Sequence, residues 1–342
     1  MKKKCLMAAV FLLASGALYA QTQKDFIRNY KAPDFKFRRL TASLNSVTKA
    51  ASANNMIDTL SSAATNGRGG LSYYEIRNSS KYQGTFTSQM SGEGALGHVN
   101  KINFGQAYIM GSLDYTGRFY LKEKFFIRAS SGLGIQAFHS STKNELISDQ
   151  TWIRYSASTS VAAGYGRVEY SSFARKAIDV EFLLKKADRI NNDLTTAELT
   201  EIADNLDSVN YKRGFDNRLL RIWRLEQMDS IIGGLDIVTK RDMRYMAFLS
   251  DAMDYSPSLS RLSGSRIEAG AGYQVRFQQL NAPTMNNDLD QFTNVFVQYA
   301  AYIPTSYAFQ HTISAGFIAE KYTEDMQSPE FEGRLFGRYQ FG

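Results

Sequence analysis

Two polar residues in the middle of the chain, His139 and Ser141, have the types and the spacing of a catalytic base and a nucleophile. Residues two apart in a β-strand lie on the same face. The imidazole can therefore take the proton of the Ser141 hydroxyl if a third group orients it, as in a hydrolase. The sequence identifies no third group. A polar pair that leads into a Ser/Thr loop is the alternative interpretation.

Charged residues form a second pattern, because arginines recur on one face of several alternating segments. Acidic residues on that face are fewer, so it carries an excess of positive charge. Such a face needs water or ionic partners. It can line a water-filled pathway that prefers anions, or its charges can pair across a narrow interior. The predicted lumen-lining residues are Arg118, Arg128, Arg154, Arg266, Glu268, Arg276, Glu320, Arg334 and Arg338.

An alternation with period two positions these charges. In the last segment of the chain, Leu335, Tyr339 and Phe341 share an apolar face, and Arg334 and Arg338 share the opposite face. Alternation of this kind is typical of β-strands. It recurs over residues 106–121, 125–138, 151–167, 265–278, 294–303 and 307–320, and more weakly over residues 70–77 and 82–91.

These segments are longer than most strands of globular proteins and long enough to cross a bilayer at a tilt. An apolar face opposite a charged face suits a strand with lipid on one side and water on the other. A soluble β-sandwich would instead bury its apolar face against a second sheet. The sequence therefore predicts an all-β transmembrane barrel of about ten antiparallel strands, within a range of about eight to twelve. Leu335, Tyr339 and Phe341 resemble the C-terminal signal that the barrel assembly machinery reads.

The start of the chain has the features of a secretory signal peptide. Lys2 to Lys4 precede a short apolar run, and Ala20 precedes a polar segment. We expect export and cleavage after Ala20, because the run is too short to span a membrane. Cleavage removes Cys5, the only cysteine, and lowers the formal net charge by three, from +7 to +4. A chain of this charge, without cysteine, gives no indication of a disulfide, a thiolate metal site or nucleic-acid binding.

The alternation stops between about residues 168 and 255, where apolar residues recur at helical spacing. Thr195 and Glu198 form a capping box, and Asp216 can cap a later helix. The apolar faces of these helices can bury one another in a small bundle. The predicted divisions are a signal peptide (1–20), an N-terminal segment of uncertain structure (21–68), the first part of the barrel (69–167), a helical insert (168–255) and the last four strands (262–342).

Two stretches in and beside the insert carry a resemblance to a protein family. The stretch 164–170 reads Gly-Tyr-Gly-Arg-Val-Glu-Tyr and runs into the first predicted helix, and the stretch 212–221 leads into the third. This layout resembles uncharacterised outer-membrane β-barrel proteins of the Bacteroidota that carry a helical insert in mid-barrel. The resemblance implies a fold and a location in the bacterial outer membrane, and it implies no activity.

The functional prediction follows from this architecture. Loop lengths place the insert in the periplasm, since barrels of this kind have short periplasmic turns. We predict a generic small-solute pore with a slightly cationic lumen. The alternative is a non-conducting structural or binding scaffold that acts through the insert and the external loops. A third interpretation is an outer-membrane lipid hydrolase that uses His139 and Ser141.

We predict no enzymatic activity, no cofactor and no metal. The expected partners are outer-membrane lipid, the barrel assembly machinery and, through basic residues of the insert, a periplasmic protein or peptidoglycan.

Overall fold

A computed structural model describes residues 23–54, 59–99, 102–143, 148–210, 216–254, 261–281, 287–306, 309–323 and 330–341. The predicted signal peptide, its cleavage site and Gly342 lie outside these residues. So do residues 212–215 of the second stretch on which the family resemblance rests.

Ten long strands form one antiparallel sheet in which each strand pairs with the next along the chain. This is the up-and-down order of a meander. The strands are β1 (Phe35–Asn54), β2 (Thr59–Asn78), β3 (Tyr82–Val99), β4 (Ile102–Tyr120), β5 (Phe125–Lys143), β6 (Ser148–Tyr170), β7 (Leu262–Asn281), β8 (Asn287–Pro304), β9 (Gln310–Thr323) and β10 (Glu330–Phe341).

Within the described residues, five helices accompany the sheet. A short helix α1 covers residues 23–29. The others lie between β6 and β7: α2 (Ser172–Lys186), α3 (Thr196–Asn210), α4 (Asn217–Gly234) and α5 (Met243–Asp254). The predicted architecture of about ten antiparallel strands with an inserted helical bundle is confirmed. Residues 35–54 and 59–68, left open by the sequence, form β1 and the first half of β2.

The two faces of the sheet differ as the alternation predicts. The register sets Arg118 opposite Arg128, and both lie on the face that we call the inner face. The opposite, outer face keeps large apolar side chains exposed. They include Leu40, Leu71, Met90, Ile109, Leu113, Ile127, Leu133, Ile135, Val161, Ile267, Val297, Phe317 and Leu335.

The sheet curls around its inner face without closing. Arg118 of β4 contacts Glu268 of β7, and Gln83 of β3 donates to the carbonyl of Val168 of β6, so non-adjacent strands meet across the interior. Within the described residues, β1 and β10 pair only with β2 and β9, and these two strands are the edges of the sheet. The inner face is therefore the concave side of a curled sheet.

All helices lie at one end of the sheet, which we call the helical end. The chain also turns back at this end between β2 and β3 (residues 79–81) and between β4 and β5 (residues 121–124). The helices have an apolar core of their own, to which α1 contributes Phe26 and Ile27. Tyr30, which follows α1, packs in that core and donates to Asp204 of α3 at 2.9 Å. The N-terminal segment is thus a structural part of the bundle.

Glycine permits the bend where the sheet meets the bundle. Gly166 on β6 and Gly264 on β7 have φ values of 108° and 98°, which side chains other than glycine rarely adopt. A Cβ atom on Gly264 would lie 2.4 Å from the carbonyl oxygen of Arg167, and one on Gly166 would clash with that of Ser265. The two strands can therefore approach closely and diverge into the helices at this point.

Candidate functional site: the charged inner face of the sheet

A buried ion-paired cluster occupies the inner face toward the helical end. The Glu268 carboxylate lies 2.6 Å from Nη1 of Arg128 and 3.5 Å from Nε of Arg118. Its side chain is only 3% exposed. Arg128 also donates to Ser160 Oγ at 3.0 Å and stacks over the Phe296 ring at 4.8 Å. These groups come from β4 to β8, so the cluster crosses the interior.

Neutral polar and apolar side chains fill the space beside this cluster. Gln83 donates from Nε2 to the Val168 carbonyl at 2.9 Å and accepts from the Tyr120 hydroxyl at 2.7 Å. Phe126 and Ile76 are fully buried next to it on the same face. Together with the Glu268 cluster they form what we call the inner layer. This layer is packed and hydrogen-bonded internally rather than open to water, although Nε of Arg128 is buried and has no hydrogen-bond partner among the described residues.

A polar cavity of about 400 Å³ lies on the inner face farther from the helical end. Asp114, Arg154 and Arg276 contribute charges to its wall. Arg154 donates to Gln278 at 2.9 Å, and Arg276 lies 3.9 Å from the Asp290 carboxylate. The sequence did not identify Asp290 as a partner. The small residues Gly132, Gly134, Ser156 and Ser158 also line this cavity.

The remaining predicted inner-face charges form no ion pair with Glu268 among the described residues. Arg334 on the edge strand β10 is 62% exposed, 3.8 Å from Glu320 and hydrogen-bonded to Glu332. Arg338 is exposed and donates to Gln340. Arg266 lines a different cavity, of about 710 Å³, at the helical end. The structure thus gathers Arg118, Arg128 and Glu268 and distributes the other six residues along the same face.

The hydrogen bond that the His139 ring makes goes to a neighbouring strand and not along β5 to Ser141. Both residues lie on the outer face, as the alternation predicts. The imidazole Nδ1 of His139 is 2.8 Å from Thr151 Oγ1, its cross-strand neighbour on β6. Ser141 is paired in register with Gly105 and Asp149. The arrangement corresponds to a polar cross-strand pair.

The C-terminal aromatic residues lie on the outer face near the helical end. Tyr339 accepts or donates a 2.6 Å hydrogen bond with His311 Nδ1, and Phe341 stacks on Phe309 at 5.3 Å. Leu335 is almost fully exposed on the same face. His311 therefore belongs to a ring of aromatic side chains. The role of Leu335, Tyr339 and Phe341 in assembly stays a prediction.

Charged residues of the bundle have shifted pKa values with clear causes. Hydrogen bonds from Arg189 and from the Tyr245 backbone N–H lower the pKa of Asp242 to about 2. Burial, reinforced by Arg175, lowers the pKa of Arg261 to about 10. Arg261 donates to the carbonyls of Ser306 and Phe309, which attaches the turn between β8 and β9 to the start of β7. Burial also raises the pKa of Asp179.

No group of three or more His, Cys, Asp or Glu side chains within the described residues is placed to hold a metal ion. Among the helices they contain, none combines the length and the apolar character needed to cross a bilayer.

Neither a protein-family model nor a curated protein sequence matches the chain. Among solved structures, the translocator domain of the autotransporter NalP from Neisseria meningitidis is 6% identical, with 98% of this chain and 96% of that chain covered and a TM-score of 0.26. The β-domain of the Bordetella autotransporter BrkA is 7% identical over 90% of this chain and 86% of that chain, with a TM-score of 0.31. Superpositions this loose carry no structural inference.

Proposed function

We propose that the chain is an integral outer-membrane β-barrel whose interior is closed at the helical end. In this proposal it is a non-conducting scaffold that presents a helical domain to the periplasm. The membrane assignment is supported by the outer face. From Phe125 to Ile135 on β5, the exposed apolar band covers ten residue steps. At about 3.3 Å per step and a tilt of about 40°, this is roughly 25 Å, the height of the apolar band of such barrels.

The inner layer is the observation that carries the closed interior. Glu268 bridges arginines from two strands, and Gln83 spans from β3 to β6. Solutes could pass only if these groups separated, and a buried carboxylate would then lose its partners. Breaking a buried ion pair of this kind costs about 3–5 kcal/mol. A barrel of about ten strands also has little room beyond its own side chains.

The periplasmic assignment of the bundle is supported by the arrangement of turns. The turns at residues 79–81 and 121–124 lie at the helical end. Short turns are periplasmic in barrels of this class. At the other end, β5 and β6 continue beyond the apolar band toward His139 and Thr151. Hairpins that extend past the band are expected on the external side.

Single-channel recording of the refolded chain tests the closed interior. The wild-type protein should insert into a planar bilayer without steady conductance. A Glu268→Ala, Gln83→Ala variant should conduct, because it removes both bridges of the inner layer. Glu320→Ala is the matched control and should stay silent. Steady conductance of the wild-type protein would overturn the proposal.

Thiol labelling of intact cells tests the orientation. Mature chains without Cys5 contain no cysteine, so a single introduced thiol reports its own position. A cysteine in place of Glu201 on α3 should be protected from an impermeant reagent. One in place of Gln150 on β6 should react. The reverse pattern would put the bundle outside the cell.

An anion-preferring pore is the second candidate, favoured by the polar cavity that Arg154 and Arg276 line. If this cavity is part of an open pathway, its field attracts anions and weakens with added salt. Replacing both arginines with Gln should then move the reversal potential toward cation preference.

Assignment of the chain to the Bacteroidota family of outer-membrane barrels is also a proposal. Membership among the Bacteroidota barrels is supported by the helical insert in mid-chain and by the stretch 164–170. Recognition of Leu335, Tyr339 and Phe341 by the assembly machinery, and of the insert by a periplasmic protein or peptidoglycan, belong to the same proposal. Lipid hydrolysis at His139 has no support in the contacts of its ring.

A further inference from the structure

A cluster of basic side chains lies on the outer face at the helical end of β1 and β2. Lys36 and Arg38 of β1 and Arg77 of β2 surround the Glu75 carboxylate. The Lys36 Nζ lies 3.4 Å and the Arg38 Nε 2.8 Å from it. Tyr73 donates its hydroxyl to the same carboxylate at 2.7 Å. Sequence reasoning missed this basic cluster, although Lys36 and Arg38 on β1, and Glu75 and Arg77 on β2, sit at period-two spacing.

The basic cluster has more positive charge than its carboxylate can neutralise. Three cations share one anion, which leaves an excess of two. Arg38 and Arg77 both bind Glu75 through Nε, so Glu75 fixes the two guanidinium groups. Their side chains stay 41% and 54% exposed, which leaves terminal nitrogens available to an external acceptor. Guanidinium groups held in this way suit a phosphate.

Aromatic and apolar surface begins directly beside the basic cluster. Tyr73 contacts Phe86 with ring centroids 6.0 Å apart, and the register pairs Tyr73 with Ser88 of β3. Ser88 lines an outer-face groove of about 580 Å³. The groove is otherwise mostly apolar and includes Met90, Ile109, Leu113, Ile135, Tyr155 and Phe277. Gly111 has no side chain to fill it.

We propose that this surface binds one anionic phospholipid of the adjacent membrane leaflet, with its phosphate on Lys36, Arg38 and Arg77 and an acyl chain in the groove. This rests on the proposed function, since it requires lipid on the outer face. The continuity of the basic cluster with an apolar groove favours a lipid over free phosphate. The position at the helical end, periplasmic in our proposal, favours phospholipid over lipid A.

Native mass spectrometry of the refolded chain in zwitterionic detergent tests this proposal by titration with phosphatidylglycerol and with phosphatidylcholine. The wild-type protein should bind phosphatidylglycerol more tightly. One basic residue near a membrane surface contributes about fivefold in affinity for anionic lipid. Arg38→Gln, Arg77→Gln should therefore lose more than about tenfold in phosphatidylglycerol affinity, with phosphatidylcholine affinity unchanged. Added salt should reduce the preference.

Arg39→Gln is the matched control, because Arg39 is on the same strand but faces inward, near Phe37. It should keep the preference. If the double variant does not fold, Lys36→Gln, which leaves both arginine–Glu75 contacts in place, should lose about fivefold. Equal preference in the wild-type, double-variant and control proteins would overturn the lipid site alone. Tighter binding of lipid A than of phosphatidylglycerol would also overturn it.

Insertion is measured separately, by the heat-modifiable gel band and by flotation with vesicles. A wild-type chain that stays outside the vesicles would overturn the proposed function together with this site. An inserted chain without lipid preference would leave the barrel proposal standing.

Discussion

The interior of the helical bundle is apolar, whereas the interior of the sheet contains charged side chains. The bundle buries Phe173, Ile202 and Leu206 completely among the apolar residues of its helices, and Phe35 of β1 packs edge-on against Phe173 where the two regions meet. The sheet exposes Leu133 and Val161 on its outer face and buries Glu268 between arginines inside. One chain thus follows two patterns of burial. The difference indicates that the two regions were selected for different solvents, water around the bundle and hydrocarbon around the sheet.

The largest expected effect is a loss of stability in the sheet that leaves the stability of the bundle unchanged. Glu268→Ala should lower the free energy of unfolding of the sheet by about 3–5 kcal/mol, because two buried arginines lose their partner. Trp152 reports on the sheet and Trp223 on the bundle, so single-tryptophan variants can follow each region. The Trp152 transition should move and the Trp223 transition should not.

Glu320→Ala, at a carboxylate 30% exposed, is the control and should change stability by less than about 1 kcal/mol. Equal losses would mean that the inner layer contributes no special stability.

Two similarly exposed apolar residues, one on the sheet and one on the bundle, allow the cost of placing a charge on each surface to be compared. Leu133 on the sheet is 56% exposed and Phe182 on the bundle is 51% exposed. In vesicles, Leu133→Arg should cost about 2–4 kcal/mol, because the charge enters hydrocarbon. Phe182→Arg should stay within about 0.5 kcal/mol, as for ordinary surface substitutions. Urea unfolding from lipid vesicles measures both. Similar small costs would contradict a lipid-facing sheet.

A smaller effect is expected at the start of α3. The Thr195 hydroxyl accepts from the Glu198 backbone N–H at 3.3 Å, and the Glu198 carboxylate accepts from the Thr195 N–H at 2.6 Å. Thr195→Ala should lower bundle stability by about 1 kcal/mol. Far-UV circular dichroism at 222 nm and Trp223 fluorescence provide the measurement. Glu201→Ala, at an exposed site of the same helix, should be nearly neutral. A shift of the Trp152 transition would show that the two regions unfold together.

The smallest expected effect is a pH dependence confined to the bundle. The carboxyl of Asp242 has its pKa lowered from 3.8 to about 2, chiefly by Arg189. A lowered folded-state pKa gives stability that is present above the unfolded pKa and is lost as pH falls through the folded value. The bundle should therefore weaken between about pH 4 and pH 2. Asp242→Asn should flatten this part of the Trp223 stability profile. An unchanged slope in that variant would assign the pH dependence to other carboxylates.

Sequence alternation predicted the strands with large outer residues and failed where the outer residues are small. β10 was clear because Leu335 and Tyr339 mark one face and Arg334 the other. The sequence leaves the region of β1 open, because much of it is Ala, Ser, Thr and Asn, so its alternation between Leu40 and Leu44 is diluted. Pairing with β2 over its whole length determines this strand, and that is a tertiary contact.

The sequence predicts which residues of the candidate site share a face, but not which of them meet across the interior. Period two places Arg118, Arg128 and Glu268 on one face, and in the structure both arginines form ion pairs with Glu268 on one face of the sheet. It does not reveal that β4 and β7 meet across the interior, which depends on the curl of the sheet. The capping residues Thr195 and Asp216 were predicted because caps are local, whereas the pairing of Arg276 with Asp290 depends on strand register.

The hydrogen bond between Tyr30 and Asp204 joins residues 174 positions apart, whereas most strand neighbours in the sheet are joined by short connections, with β6 and β7 joined by the helical insert. Contacts within hairpins form with little loop-closure entropy, and distant contacts form more slowly. The bundle core needs Phe26 and Ile27, and six strands intervene before α2. Completion of the bundle is therefore expected to be a late kinetic event. Until then, the apolar surfaces of α2 and α3 lack their N-terminal cover and stay exposed to water.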